Sequence, residues 1–107
     1  MVKEMTSSYE EKIIKILQKS KINFEREKTF KDLRGGRYRY DFYIPSMKII
    51  CEMDGQYHFQ PIKGRAALLK QQENDRQKNS YCLANDIKLY RIPYWEINEI
   101  KTFSDII

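Results

Sequence analysis

Tyr40-Asp41-Phe42-Tyr43-Ile44-Pro45 and Ile49-Ile50-Cys51-Glu52-Met53-Asp54-Gly55-Gln56-Tyr57-His58 decide the fold, because they set acids inside two runs otherwise built for buried strands. Tyr, Phe, Ile and Cys dominate both runs, and the Pro-Ser turn signal between them makes a hairpin the natural reading. An ionised carboxylate is costly to bury alone, so Asp41 and Glu52 require a cation or a metal ion nearby. Directly opposed residues share a face, so any loop with an even number of residues brings the two acids together. A two-residue turn at Pro45-Ser46 sets them diagonally, at a Cβ separation of roughly 7 Å or less, which a divalent ion could bridge. A four-residue loop sets them face to face, where repulsion raises one pKa unless a metal lies between. The alternative is a salt bridge, with Arg39 on the Asp41 face and opposed to Glu52.

Further polar residues gather around this pair. Gly55 allows a sharp departure from the strand, and His58, the chain's single histidine, follows with a side chain able to move protons near neutral pH. Residues 7 to 20 have the spacing of an amphipathic helix, capped by Thr6, Ser7 or Ser8, with Tyr9, Ile13, Ile14, Ile16 and Leu17 as apolar positions. Glu10 falls on that core-facing stripe, whereas Glu11 stacks with Lys15 and Gln18 on the wet side. As an alternative, Glu10 is an exposed first-turn carboxylate favoured by the helix dipole.

Residues 22 to 30 read as a first strand anchored by Ile22, Phe24 and Phe30. A long helix is expected from about Arg65 to Ala84, then a strand from Ile87 to Ile92 stopped by Pro93. Ile97, Ile100, Phe103 and Ile107 give the last segment helical spacing and a role in closing the core. This order predicts an α/β fold with a central mixed sheet of about four strands flanked by helices, the last strand joining through a helical crossover. Within the long helix, Leu68, Gln72, Asp75, Asn79 and Cys82 form a stripe with a polar middle. It either faces the acids, with Asp75 orienting His58, or solvates one side of the helix. Lys78 could neutralise Asp75 or reach a phosphate.

With 107 residues the chain is expected to form one domain. No apolar signal region opens it, and no window approaches the roughly 20 apolar residues of a membrane span, so a soluble, intracellular protein is expected. Cys51 and Cys82 lack metal-ligand spacing and read as buried thiols. Twenty basic and fifteen acidic residues leave a formal charge of +5, consistent with a polyanionic partner. Lys28, Lys31, Arg34, Arg37 and Arg39 surround Gly35-Gly36. Those glycines would let backbone amides approach a phosphate while the guanidinium forks contact its oxygens, the alternative being an ordinary solvated tip.

The order Glu10, Asp41, Glu52-x-Asp54-Gly55-Gln56-x-His58, Asn74-Asp75-x-x-Lys78-Asn79-x-Tyr81-Cys82 and Leu89-x-Arg91-Ile92-Pro93-Tyr94 resembles small phage and bacterial endonucleases related to the very-short-patch repair (Vsr-like) enzymes of the PD-(D/E)xK superfamily. The resemblance covers about residues 7 to 97. It implies a single-domain restriction-endonuclease-like fold across residues 1–107, cytoplasmic action in a bacterial cell from a host or phage gene, and metal-dependent hydrolysis of DNA phosphodiesters. In that reading Asp41 and Glu52 hold Mg²⁺, with Mn²⁺ able to substitute. Glu10 binds a metal-ligated water or a second ion, His58 is general base or acid, Gln56 positions water or phosphate, and Asp75 supports His58. Arg34, Gly35, Gly36, Arg37 and Lys78 contact duplex or branched DNA. The chain departs from the superfamily pattern where Met53-Asp54 follows Glu52 in place of Glu-x-Lys, which implies that Gln56 or His58 takes part of the lysine's role. A nuclease-fold module that binds nucleic acid or protein without cutting, and an RNA-processing nuclease, are the alternatives.

Overall fold

The computed structural model describes residues 8–55, 59 and 61–107. Helix α1 (Ser8–Lys19) leads into strand β1 (Glu25–Thr29), a 3-10 turn at Arg34–Gly36, and the hairpin of β2 (Arg39–Ile44) and β3 (Ile49–Asp54). Helix α2 (Arg65–Ala84) then carries the chain to β4 (Lys88–Pro93), followed by 3-10 turns at Tyr94–Glu99 and Phe103–Asp105. The sheet runs β1-β2-β3-β4. Its first two pairings are antiparallel and β3–β4 is parallel, the crossover being made by α2. This is the α/β architecture expected, a four-stranded mixed sheet flanked by helices.

The register settles the hairpin loop. Ile44 pairs with Ile49, Tyr43 with Ile50 and Phe42 with Cys51, leaving Pro45-Ser46-Met47-Lys48 as a four-residue loop. Pairing ends at Phe42–Cys51, and one step further along the same register Asp41 and Glu52 meet through side-chain-to-backbone bonds in place of a ladder pair.

Each sheet face has its own core. Ile13, Ile16 and Leu17 of α1 pack with Phe42, Ile44, Ile49, Cys51 and Ile92 on one face, joined by Ile97, Ile100 and Ile106. On the other face Cys82 of α2 packs with Tyr40, Ile50, Leu33 and Ile87. The terminal segment corrects the expected pattern: Ile106 is buried whereas Ile107 is exposed. Ile97 lies in the first 3-10 turn, Phe103 in the second, and Ile100 and Ile106 directly after each, so two short turns joined by extended backbone replace the expected single helix.

Strand alternation fails at one place. Tyr40 belongs to the α2-side core and Phe42 to the α1-side core, although residues two apart in a regular strand share a face. Their partners on β1 switch in step: Arg26, opposite Phe42, reaches Glu10 of α1, while Lys28, opposite Tyr40, lies over the rings of Phe30 and Tyr43. Between them Glu27 has a left-handed φ of 52°. Register is the same on both sides, so the break is a matched rotation of both strands, centred on Glu27 and Asp41.

Candidate active site

Asp41 and Glu52 replace the ladder at the open end of the hairpin with their own side chains. The Asp41 amide donates to Glu52 Oε1 at 2.7 Å, and the Met53 amide donates to Asp41 Oδ2 at 2.7 Å. Glu52 is 3% exposed. A carboxylate so deeply buried needs a cation, and α2 supplies one. Lys78 Nζ donates to Glu52 Oε2 at 3.0 Å and to the Arg39 carbonyl at 2.5 Å, and lies 5.2 Å from the Tyr40 ring centroid. Tyr40 in turn donates its hydroxyl to the Lys78 carbonyl at 3.0 Å, fixing this turn of helix against the sheet.

The cation paired with Glu52 is therefore Lys78, and the alternative pairing with Arg39 does not form. Arg39 turns outward to Glu27 at 2.9 Å, because the Asp41–Glu52 register leaves it two positions beyond the gap. Even so the pair is not fully compensated. Burial first, then the facing Glu52, push the Asp41 carboxyl up to about 7, against the Met53 amide bond, with Glu10 adding to the rise and Lys78 opposing it. The break in alternation explains how one carboxylate senses α1 through Glu10 and α2 through Lys78.

Arg91 is the second cation of the site. Parallel pairing aligns it with Glu52. Its Nη1 lies 2.9 Å from Asp54 Oδ1, 3.7 Å from Asp75 Oδ1 and 3.9 Å from Glu52 Oε2. Its Nε donates to Asn79 at 2.9 Å and its Nη2 to the Asp75 carbonyl at 3.3 Å. Sequence reasoning did not assign Arg91 to the site. The available signal was a lone guanidinium between Tyr90 and Ile92 in an otherwise apolar strand end.

The polar helix stripe is confirmed in part. Asp75 and Cys82 face inward as expected, but Gln71, not Gln72, donates to Asp75 Oδ1, at 3.0 Å, and Gln72 is exposed. The inward line is 71, 75, 78 and 82, steps of four and three that put Lys78 over the acids. Glu10 is half-buried, 3.4 Å from Arg26, and lines a cavity of about 220 Å³ with Tyr9, Met53, Asp54, Ile92 and Tyr94. Beside it Phe59, Tyr94 and Trp95 meet in tilted and edge-to-face contacts, with Phe59 and Trp95 centroids 4.8 Å apart and Trp95 56% exposed. Gln56 and His58 lie outside the described residues, as do the Thr6 and Ser7 caps, so the proposed Asp75–His58 relationship does too.

Arg34 and Arg37 are exposed on the turn before β2. The Gly36 amide donates to the Leu33 carbonyl and the Arg37 amide to the Arg34 carbonyl, so these two N–H groups close the turn itself. Arg34, Gly35 and Gly36 all have positive φ, of 50°, 64° and 82°. Contact with an anion here would run through the guanidinium groups.

For a metal, the donor set is two hard carboxylates, which suits Mg²⁺, an ion that takes one or two protein carboxylates and keeps several waters. Asp41 Oδ1 accepts no hydrogen bond among the described residues, and the raised Asp41 carboxyl marks a place where negative charge lacks full compensation. Among the described residues no three His, Cys, Asp or Glu side chains converge on one ion site. The residues fit an ion held by two carboxylates and water. No protein-family model matches this chain, and no curated protein matches it.

Proposed function

We propose that this chain is a metal-dependent endonuclease of the restriction-endonuclease-like type, hydrolysing DNA phosphodiester bonds by nicking or double-strand cutting. The observation that carries the reading is the Asp41–Glu52 pair at the open end of a hairpin, Glu52 buried and Asp41 half-buried, each carboxylate bonded to the backbone across the pair. A sheet tolerates two facing carboxylates at considerable electrostatic cost, which a bound cation turns into attraction. Asp41 and Glu52 would hold Mg²⁺ or Mn²⁺. Such an ion neutralises charge developing on a phosphate and acidifies a bound water. Glu10 lines the adjoining cavity and would bind a water or a second ion. His58 would exchange the proton of the attacking or leaving oxygen, Gln56 would orient water or phosphate, and Asp75 would support His58.

DNA is the favoured substrate class on charge and surface chemistry. Arg34 and Arg37 offer exposed guanidinium groups to phosphate, Lys78 stands at the acids, and the faces of Phe59 and Trp95 suit stacking with a base. Cys51 and Cys82 are free and buried, with burial pushing the Cys51 thiol up to about 12, in keeping with a reducing cytoplasm. Among the described residues no helix is long and apolar enough to cross a membrane.

One observation favours a second reading. Lys78 and Arg91 already pair with Glu52 and Asp54, as in a nuclease-fold module that binds nucleic acid or protein without cutting. Purified protein incubated with supercoiled plasmid, branched DNA and RNA, each with Mg²⁺, Mn²⁺ or EDTA, separates the two. Metal-dependent cleavage lost in Asp41→Asn is the expected result. Binding with no cutting of any substrate overturns the enzyme reading.

A further inference from the structure

Glu52 has one carboxylate oxygen that a metal ion could take without breaking the sheet, and Lys78 occupies it. Oε1 is tied to the Asp41 amide at 2.7 Å, so Oε2, 3.0 Å from Lys78 Nζ, is the oxygen in question. We infer that Lys78 is a built-in counter-ion, which a divalent cation displaces from Glu52, and which then passes to a substrate phosphate, so that metal and DNA bind cooperatively through it. This inference rests on the metal-dependent reading of the Asp41–Glu52 pair.

Charge balance favours the exchange. With both carboxylates ionised, the pair and one ammonium carry a net negative charge. A divalent ion on the same carboxylates leaves none, and keeping Lys78 in place as well would crowd two cations together. The two neighbouring cations also differ in their freedom to move. Arg91 is forked onto Asp54, Asn79 and the Asp75 backbone, and cannot leave without breaking several bonds. Lys78 is a point charge on a flexible stem, held by Glu52 and one carbonyl, with a third N–H to offer. Its side chain is 12% exposed, so it is mostly covered but still touches solvent. A phosphate oxygen would replace Glu52 as its anionic partner. Each ligand then weakens the contact that opposes the other, which is positive coupling and is reciprocal.

The test measures binding, not turnover. Mn²⁺ is titrated calorimetrically into the full chain and into Lys78→Met and Lys78→Gln, alone and with a phosphorothioate-linked duplex. Gln keeps a donor for Glu52 and the Arg39 carbonyl should the Met variant fold poorly. Removing the ammonium should tighten Mn²⁺ binding by about tenfold, the scale of one unit charge a few ångströms from the ion in a partly solvated site. Mn²⁺ should strengthen duplex binding by the wild type and do so much less in Lys78→Gln. Equal or weaker Mn²⁺ binding by a folded Lys78 variant overturns the inference, as does unchanged coupling to the duplex. If the wild type still cuts DNA with metal in that case, the nuclease reading stands without this role for Lys78. Failure of every protein to bind Mn²⁺, together with no cleavage, removes both.

Discussion

The Asp41 amide donates directly to the Glu52 carboxylate at 2.7 Å, so the residue proposed to share a metal with Glu52 also anchors it through the backbone. The two acids are consequently hydrogen-bonding parts of the sheet as well as charges within it. Substitutions there separate the two roles only if they keep the acceptor oxygen while removing the charge.

Asp41→Asn meets that condition, since its side-chain oxygen can still accept from Met53. The Asp41 carboxyl titrates at about 7 in the folded protein against an ordinary value near 3.8. Between those values the folded state binds more protons than the unfolded state, so this group's contribution falls as pH rises through the window. Its penalty is absent below the lower value and complete above the upper one. Asp41→Asn should flatten that slope and, without added metal, raise stability at about pH 8 by on the order of 2 kcal/mol. Urea melts on the two proteins across the window check this; parallel pH profiles would show that Asp41 is not the group responsible.

Glu52→Gln is predicted to fold with reduced stability. Its oxygen can serve the Asp41 amide, but its amide nitrogen then faces the Lys78 ammonium, leaving a buried cation unpaired at a cost of about 3 kcal/mol. Adding Lys78→Met should recover much of that loss. Urea denaturation of both single variants and the double variant gives the coupling, and strictly additive losses would mean that the pair contributes nothing jointly.

Arg91→Lys should be nearly as damaging as Arg91→Ala. A lysine has no fork to span Asn79, Asp54 and the Asp75 carbonyl, and the expected loss is on the order of 2–4 kcal/mol. Chemical denaturation measures it. Wild-type stability in the lysine variant would reduce Arg91 to a generic positive charge.

Arg34 and Arg37 separate binding from folding. Replacing both with Ala should weaken DNA binding irrespective of sequence and lower its dependence on salt. Arg34→Gly should weaken binding too while leaving stability equal or up to about 1 kcal/mol higher, because Arg34 holds a φ of 50° that glycine adopts without strain. Fluorescence anisotropy at several salt concentrations, paired with thermal melts, reads both effects; an unchanged salt slope in the double-Ala variant would leave the turn no part in binding.

The hairpin and the convergence of its acids were legible because parity fixes faces once a loop is even, and both loop lengths considered gave the same side. Which even loop forms was not, since Lys48 at a φ of 52° lengthens the turn without any glycine to announce it. Lys78 stands out in the sequence, but the structure pairs it with Glu52 and not with Asp75. A helix with so weak an apolar stripe has no phase that can be read reliably, and a shift of one position exchanged Gln72 for Gln71. Arg91 depends on a parallel register set by a crossover, which no local pattern records. The exchange of faces at Glu27 and Asp41 contradicts the alternation from which strands are inferred, so it was invisible for the same reason that the strands were clear.

The separation along the chain between the acids and their cations has a consequence for folding. Asp41 and Glu52 meet in a local hairpin, whereas Lys78 and Arg91 reach them only after α2 and β4 have docked. Hairpin closure is generally faster than crossover docking, so wherever the hairpin forms first it brings the two carboxylates together with neither cation in place. The cost grows as docking buries the pair, because burial is the first cause of the raised Asp41 carboxyl, and it is offset only when Lys78 arrives. A proton on the pair removes that cost, so refolding followed by stopped-flow fluorescence should quicken as pH falls below about 7 in the wild type and depend less on pH in Asp41→Asn.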